Sequence, residues 1–185
     1  MMHDLGKAWD SITNPSKNTQ KFANTSDVLS FYYRASILPL FATMAIVLVT
    51  IIASPALSLT DYIAFAISQA AGILVLLPIY IVVFAAVIHF LAKVLFKWLK
   101  GSYENTVAAV MFGTLPSLLF FWLGLIPKIA LPSSYVLYLW NLAVLTVSLS
   151  KQHKVSTMYA ALSWGISLIV IFVLVIVLVV ATHAR

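Results

Sequence analysis

Long apolar runs separated by short polar segments dominate the chain from residue 36 onward. The hydrocarbon core of a bilayer is ~30 Å thick, so a spanning α-helix needs ~20 predominantly apolar residues. Five runs are read on this basis as transmembrane helices, at residues 36–53, 62–92, 106–125, 135–149 and 158–181. The predicted fold class is therefore all-α: a polytopic integral membrane protein whose five-helix domain covers residues 36–182.

The second run is longer than one crossing requires. From Tyr62 to Lys100 a single helix would extend ~58 Å. Pro78 does not divide it into two spans, because no polar residues nearby could reverse the chain within lipid. We therefore expect one helix, kinked at Pro78, whose last turns emerge into the interface. Pro116 predicts a second kink, in the third span, and the two kinks either enclose a cavity or only shape a compact bundle.

Residues 1–35 form a polar segment without an apolar signal region near the first methionine. Leu5, Trp9 and Ile12 recur at helical spacing, which predicts a short amphipathic helix lying on the membrane. Ser26 and Asp27 are expected to cap a further helix that leads into the first span. The side chains expected to anchor the chain at the interface are Trp9, Tyr32, Tyr33, Arg34 and Trp98.

Composition supports a membrane location and excludes some chemistry. Of the residues, 63% are hydrophobic and 9% charged, whereas soluble domains have about 25% charged residues. The sequence contains no cysteine, which excludes disulfides, thiolate metal sites and cysteine nucleophiles.

The basic residues predict an orientation. With five spans, nine of the eleven fall on one side, and an excess of Lys and Arg in short loops marks the cytoplasmic side. These nine are Lys7, Lys17, Lys21, Arg34, Lys93, Lys97, Lys100, Lys151 and Lys154. We expect a cytoplasmic N-terminus, an external C-terminus and a prokaryotic cell membrane. The same bias accounts for the net charge of +6, so no nucleic-acid partner is expected.

One stripe of this basic side is predicted to be helical. His89, Lys93, Lys97 and Lys100 follow one another at spacings that place them on one helix face. Each lysine near an anionic leaflet contributes roughly 1 kcal/mol. The stripe therefore either sets topology by snorkelling or forms a site for anionic lipid or phosphate. The candidate headgroup contacts are Lys93, Lys97, Lys100, Lys151 and Lys154.

The predicted hydrocarbon segments contain no Asp, Glu, Lys or Arg. Gln69 and Asn141 remain, either as hydrogen-bonding groups between helices or as the lining of a polar path. Small residues recur every four positions at Ala64 and Ser68 and at Ser163 and Ser167. Such seams serve either packing within the chain, which we favour, or a homodimer.

Catalytic signatures are missing from the sequence: it has no HExxH, no Gly-rich phosphate loop and no GxSG. The five acids are dispersed and the four histidines lie far apart along the chain. We therefore expect neither an enzyme nor a bound cofactor or metal.

Three segments carry a resemblance to a known family. They are "W" followed by "NPSK" (Trp9, Asn14–Lys17), "KGSYENTVAAVMFGTLPSLL" (Lys100–Leu119) and "QHKVS" (Gln152–Ser156). With the span count and spacing, they resemble the Yip (Ypt-interacting protein) domain family of five-span membrane proteins, in its compact prokaryotic form. The resemblance implies an N-in, C-out five-helix domain without an assigned enzymatic activity. Eukaryotic members bind Rab-type GTPases, but their long N-terminal extension with its acidic stretch is missing here, so we do not carry that binding over.

Two functional hypotheses follow. The first is a non-enzymatic membrane organiser or adaptor, whose basic cytoplasmic face contacts anionic lipid and whose partner is a membrane protein or a second copy. The second is a small channel or transporter with a polar path between kinked helices.

Overall fold

The computed structural model describes residues 2–15, 22, 24–53, 58–126 and 128–183, and the regular structure within them is helical throughout. The helices are α1 (Met2–Thr13), α2 (Thr25–Ala53), α3 (Leu59–Ala71), α4 (Leu77–His89), α5 (Tyr103–Leu119), α6 (Ala130–His153) and α7 (Thr157–His183). One π-helical turn (Gly72–Leu76) joins α3 to α4, and a second (Phe90–Leu95) continues α4. A 3-10 helix (Phe121–Leu125) follows α5. The all-α prediction is confirmed for the described residues.

Within the described residues, four helical stretches are long and apolar enough to cross a membrane: Thr25–Val49, Ile63–Leu95, Ala130–His153 and Thr157–His183. They coincide with the first, second, fourth and fifth predicted spans. The chain is thus a polytopic membrane protein, and the count of five depends on α5.

Helix α5 lies at the centre of the bundle rather than at its lipid-facing surface. Every residue from Thr106 to Gly113 is buried, and α2, α4 and α6 pack against the helix. Its 17 residues extend ~26 Å, somewhat less than the ~30 Å hydrocarbon core. A fifth crossing would therefore need α5 together with the 3-10 helix, and it stays a prediction.

Gly113 sets the distance between α5 and its most extensive partner, α6. A Cβ atom at Gly113 would lie 2.7 Å from Leu145 Cβ and 3.1 Å from Leu145 Cα. Both distances are shorter than ordinary carbon contacts, which are about 3.5–4.0 Å. The two helices can approach this closely only because residue 113 has no side chain.

Asn141 joins the same two helices through hydrogen bonds. The backbone N–H of Ser117 donates to Asn141 Oδ1 (3.1 Å), and Asn141 Nδ2 donates to Ser117 Oγ. Ser117 directly follows Pro116, which has no N–H and therefore interrupts the backbone hydrogen bonding of α5. Of the two alternatives given for Asn141, this geometry supports a hydrogen bond between helices.

The second apolar run is one helical stretch from Leu59 to Leu95. The prediction that this helix also carries Lys97 and Lys100 on one face is wrong, because the helix ends at Leu95 and Lys97 has a left-handed backbone (φ 57°). The irregular backbone at Gly72–Leu76 lies just before Pro78. Because proline has no N–H, the carbonyl of Leu74 lacks its usual donor four residues on. Tyr33 donates its hydroxyl to this carbonyl (3.3 Å), and Tyr32 donates to the neighbouring carbonyl of Ile73 (2.6 Å).

These contacts give Tyr32 an environment different from the expected interface, since its side chain is fully buried. Helix α2 also begins earlier than expected. Asn24 Oδ1 accepts the backbone N–H of Asp27 (2.9 Å), so Asn24 provides the cap instead of Ser26 or Asp27. From Thr25 the helix continues without a break through the first apolar run.

The predicted N-terminal helix is present as α1, but it packs into the bundle. Ala8 and Ile12 are buried, and half-exposed Trp9 contacts the ring of Phe120 (6.3 Å between centroids). Trp140 donates its indole N–H to the carbonyl of Ile12 (3.2 Å). The apolar face of α1 therefore packs against α5 and α2, and Trp140 of α6 bonds to its C-terminal end.

The two small-residue seams differ in their surroundings. Ser163 and Ser167 are buried inside the bundle, which corresponds to packing within the chain. Ala64 and Ser68 are exposed, so this first seam is not used for packing within the described part of one copy.

Candidate functional site: a lysine-rich end closed by two histidines

Five lysines lie at one end of the bundle, which we call the lysine end. It consists of the segment after α4 and of the connection between α6 and α7. Lys97, Lys100, Lys151 and Lys154 are exposed there, while Lys93 is half-buried. Lys97 and Lys154 both adopt left-handed backbone angles (φ 57° and 52°).

Lys154 uses this conformation to end α6. Its N–H bonds to the carbonyls of Lys151 and Ser150, and the N–H of Val155 bonds to the carbonyl of Ser150. Such a left-handed cap satisfies the last carbonyls of a helix and reverses the chain within a few residues. It therefore keeps Lys151 and Lys154 in one short turn.

Hydrogen bonds tie the two parts of the lysine end together. Gly101 donates its N–H to His153 Nδ1 (2.9 Å), and Asn105 Nδ2 donates to the carbonyl of Gln152 (3.4 Å). Lys93 Nζ donates to the carbonyl of Gly101 (2.7 Å). Lys93 thus holds the loop, and the four exposed lysines remain for an external partner.

A chain of hydrogen bonds with a fixed direction runs beneath this surface. Because His153 Nδ1 accepts from Gly101, it carries no proton, and neutral His153 has its proton on Nε2. His153 Nε2 then donates to Thr106 Oγ1 (3.0 Å), and the Thr106 hydroxyl donates to His89 Nδ1 (2.9 Å). We call these three side chains the His–Thr–His chain; it connects α4, α5 and α6.

Burial limits what this chain can do chemically. His153 is 1% exposed and Thr106 0%, so no substrate reaches the proton shared between them. Among the described residues, no group of three His, Cys, Asp or Glu side chains could hold a metal ion. The arrangement therefore fixes helix ends rather than forming a reaction centre.

Glu104 is the carboxylate beside this chain. It lies in the first turn of α5, where negative charge complements the helix dipole. A hydrogen bond from the Ser102 side chain lowers the pKa of the Glu104 carboxyl, and nearby His89 and Lys93 lower it further.

Aromatic side chains border the lysine end. Trp98 stacks on Phe96 (4.6 Å between centroids) and contacts Tyr159 at the start of α7 (5.7 Å). Trp98 thus lies beside the exposed lysines, and its interfacial role stays a prediction.

Two predicted members of the basic side lie elsewhere. Tyr32 and Tyr33 bond to Ile73 and Leu74, so neighbouring Arg34 lies near that level of the bundle, about 20 residues or ~30 Å of helix before Lys93. Lys7 belongs to α1, which contacts Trp140, ~20 Å of helix from His153. The structure therefore groups five lysines at this end. Lys17 and Lys21 lie outside the described residues.

Sequence reasoning did not find the His–Thr–His chain. Its members come from three helices, and the histidines were set aside because they lie far apart in sequence. One signal was available: the segments Lys100–Leu119 and Gln152–Ser156, quoted for the family resemblance, supply Thr106 and His153 and contact each other here. Of the residues predicted for a polar path, Asn141 bonds to Ser117, whereas Gln69 is half-buried in α3.

A family model describes most of this chain. The Yip1 domain model matches residues 9–179, a range that begins within α1, ends within α7 and includes the whole lysine end. No curated protein and no solved structure matches the chain. The resemblance drawn from the three sequence segments is thereby confirmed.

Proposed function

The chain belongs to the Yip1 domain family, and from this premise we propose that it is a non-enzymatic membrane organiser whose lysine end contacts anionic lipid headgroups. The family is generally one of non-enzymatic membrane proteins. The observation that carries the proposal is the grouping of Lys97, Lys100, Lys151 and Lys154, all exposed, on two loops held together by hydrogen bonds.

Electrostatics supports lipid as the partner. Within the described residues these four ammonium groups form no ion pair or hydrogen bond, so each is available for a phosphate. Each lysine near an anionic surface contributes roughly 1 kcal/mol. Trp98 beside them provides the aromatic side chain that commonly marks headgroup depth. On this proposal the lysine end faces the cytoplasm, where anionic lipid and the positive-inside rule both favour it.

Neutralising the four lysines is the direct test. We expect the combined variant Lys97→Gln, Lys100→Gln, Lys151→Gln and Lys154→Gln to retain at least about tenfold less phosphatidylglycerol than the parent protein, because four headgroup contacts are lost. Native mass spectrometry of protein released from mixed phosphatidylglycerol–phosphatidylcholine nanodiscs measures the retained lipid. Lys93 stays unchanged because it holds the loop through Gly101.

Lys128→Gln is the matched control, since Lys128 is exposed on the connection before α6. Its phosphatidylglycerol retention should equal that of the parent. Equal retention by the four-lysine variant would contradict the proposal, as would an equal loss of phosphatidylcholine.

A small channel or transporter is the second candidate, favoured by a cleft that reaches Asn141. Against it, the Asn141 amide is engaged by Ser117, Gln69 does not line this cleft, and the lining is mostly apolar. We expect liposomes containing the purified protein to release ions and small solutes no faster than empty vesicles. Solute release above that background would instead support the second candidate.

A further inference from the structure

Two adjoining clefts open between α4 and α5, away from the lysine end; the first also borders α6 and α7, and the second borders the π-helical turn Gly72–Leu76. One has a volume of about 230 Å³ and the other about 470 Å³, and Leu77, Tyr80 and Ser117 line both. Tyr80 precedes Lys93 by 13 residues of the same helical run, or ~20 Å. We call the two clefts together the tyrosine cleft. If the lysine end lies among the lipid headgroups, the tyrosine cleft lies at the depth of the hydrocarbon core.

Backbone irregularities shape this cleft. The π-helical turn Gly72–Leu76 supplies part of its wall, and Gly113 leaves part of the opposite wall without a side chain. Single π-helical turns inside α-helices are frequently associated with functional sites. The recess is thus built into the helices and does not depend on a mobile loop.

The polar groups in the cleft are unequal in their hydrogen bonding. Ser117 and Asn141 bond to each other. Tyr80 and Tyr138 line the same cleft, and neither hydroxyl has a hydrogen-bond partner among the described residues. A hydroxyl left unpaired in hydrocarbon costs free energy. Tyr80 is 44% and Tyr138 53% exposed. Two O–H donors therefore border a largely apolar recess, and neither has a hydrogen-bond partner there.

Charge narrows the class of ligand that the cleft fits. Neither cleft has a charged side chain in its lining, so a phosphate head group would lie in hydrocarbon without a counter-charge, which is costly. Ester carbonyls are uncharged acceptors, and acyl chains match apolar walls. The ligand with both properties is an uncharged ester lipid.

We propose that the tyrosine cleft binds an uncharged ester lipid, of which a diacylglycerol is the simplest, with its ester carbonyls accepting hydrogen bonds from Tyr80 and Tyr138. An acyl chain then occupies the apolar part of the recess. This site is separate from the lysine end and does not depend on anionic-lipid binding there.

The test uses the full chain in phosphatidylcholine nanodiscs containing a photoreactive diacylglycerol. We expect crosslinks on peptides that line the cleft, including that of Leu142. In the double variant Tyr80→Phe and Tyr138→Phe, labelling should fall about tenfold, because two hydrogen bonds are lost while the rings remain. Tyr135→Phe is the matched control: Tyr135 is exposed on α6 and lines neither cleft, so its labelling should not change.

Each other outcome overturns the proposal. Equal labelling of the double variant, or equal labelling by a photoreactive phosphatidylcholine, would show ordinary contact with surrounding lipid. Crosslinks from this face to a second copy would show a protein interface. Retention of phosphatidylglycerol, measured on the same samples, reports on the lysine end alone, so the two proposals can fail separately.

Discussion

Replacing Gly113 by alanine is expected to lower the thermal stability of the detergent-solubilised protein by roughly 3–10 °C. The added Cβ would lie 2.7 Å from Leu145 Cβ and 3.1 Å from its Cα. A backbone atom cannot rotate away, so α5 and α6 must separate. Overpacking of this kind costs about 1–3 kcal/mol. The measurement is the temperature at which half of the protein remains monodisperse after heating.

Gly165→Ala is the matched control, because a Cβ at Gly165 in α7 would meet nothing within 4 Å. There the intrinsic helix preference of alanine over glycine, up to about 1 kcal/mol, acts without opposition. The control should therefore be as stable as the parent or more stable. If Gly113→Ala behaved in the same way, the close approach of α5 and α6 would be incorrect.

The second large effect is expected from Thr106→Val, which preserves shape but removes the hydroxyl at the centre of the His–Thr–His chain. His153 Nε2 would lose its acceptor and His89 Nδ1 its donor, and His153 has no access to water. Each unsatisfied buried group costs about 1–3 kcal/mol. We expect a loss of roughly 2–5 kcal/mol and new reactivity of His153 toward diethylpyrocarbonate, measured by peptide mass spectrometry.

Thr106→Ser tests whether the hydroxyl is responsible, since serine supplies the same oxygen and should retain most of the protection of His153. Thr182→Val is the negative control. Thr182 is exposed on α7 and bonds to the carbonyl of Val179 in its own helix. A Thr106→Val protein in which His153 stays as unreactive as in the parent would show that the chain does not close the lysine end.

The length of the apolar runs predicted α2, α6, α7 and the continuous stretch formed by α3 and α4. These helices meet lipid over much of their length. Run length could not assign α5 in the same way. An apolar run enclosed by protein and one exposed to lipid have similar composition, since both exclude water. The close approach of Gly113 to Leu145 was likewise not predicted from the sequence.

The candidate site was predictable only where it depends on local order. The closeness of Lys93, Lys97 and Lys100 in the sequence identified part of the lysine end, although the helix that was expected to carry all three ends at Leu95. Contacts between distant segments carried no such signal. From the sequence, Tyr32 is predicted to be an interfacial tyrosine. Only the structure identifies its hydrogen-bond partner, the carbonyl of Ile73 in an irregular turn. His153 likewise has no recognisable role until α6 is placed beside Gly101.

The enclosure of α5 also bears on how the protein is made. The surroundings that cover Thr106–Gly113 include α6, which is synthesised later and begins at Ala130. When α5 first leaves the ribosome, its Thr106 hydroxyl and Gly113 groove have no finished neighbour on that side. The helix must therefore wait beside the insertion machinery or reside briefly among lipids until α6 arrives. If α5 waits, it enters the bilayer together with α6 as a pair; if it does not, it must meet α6 within the bilayer.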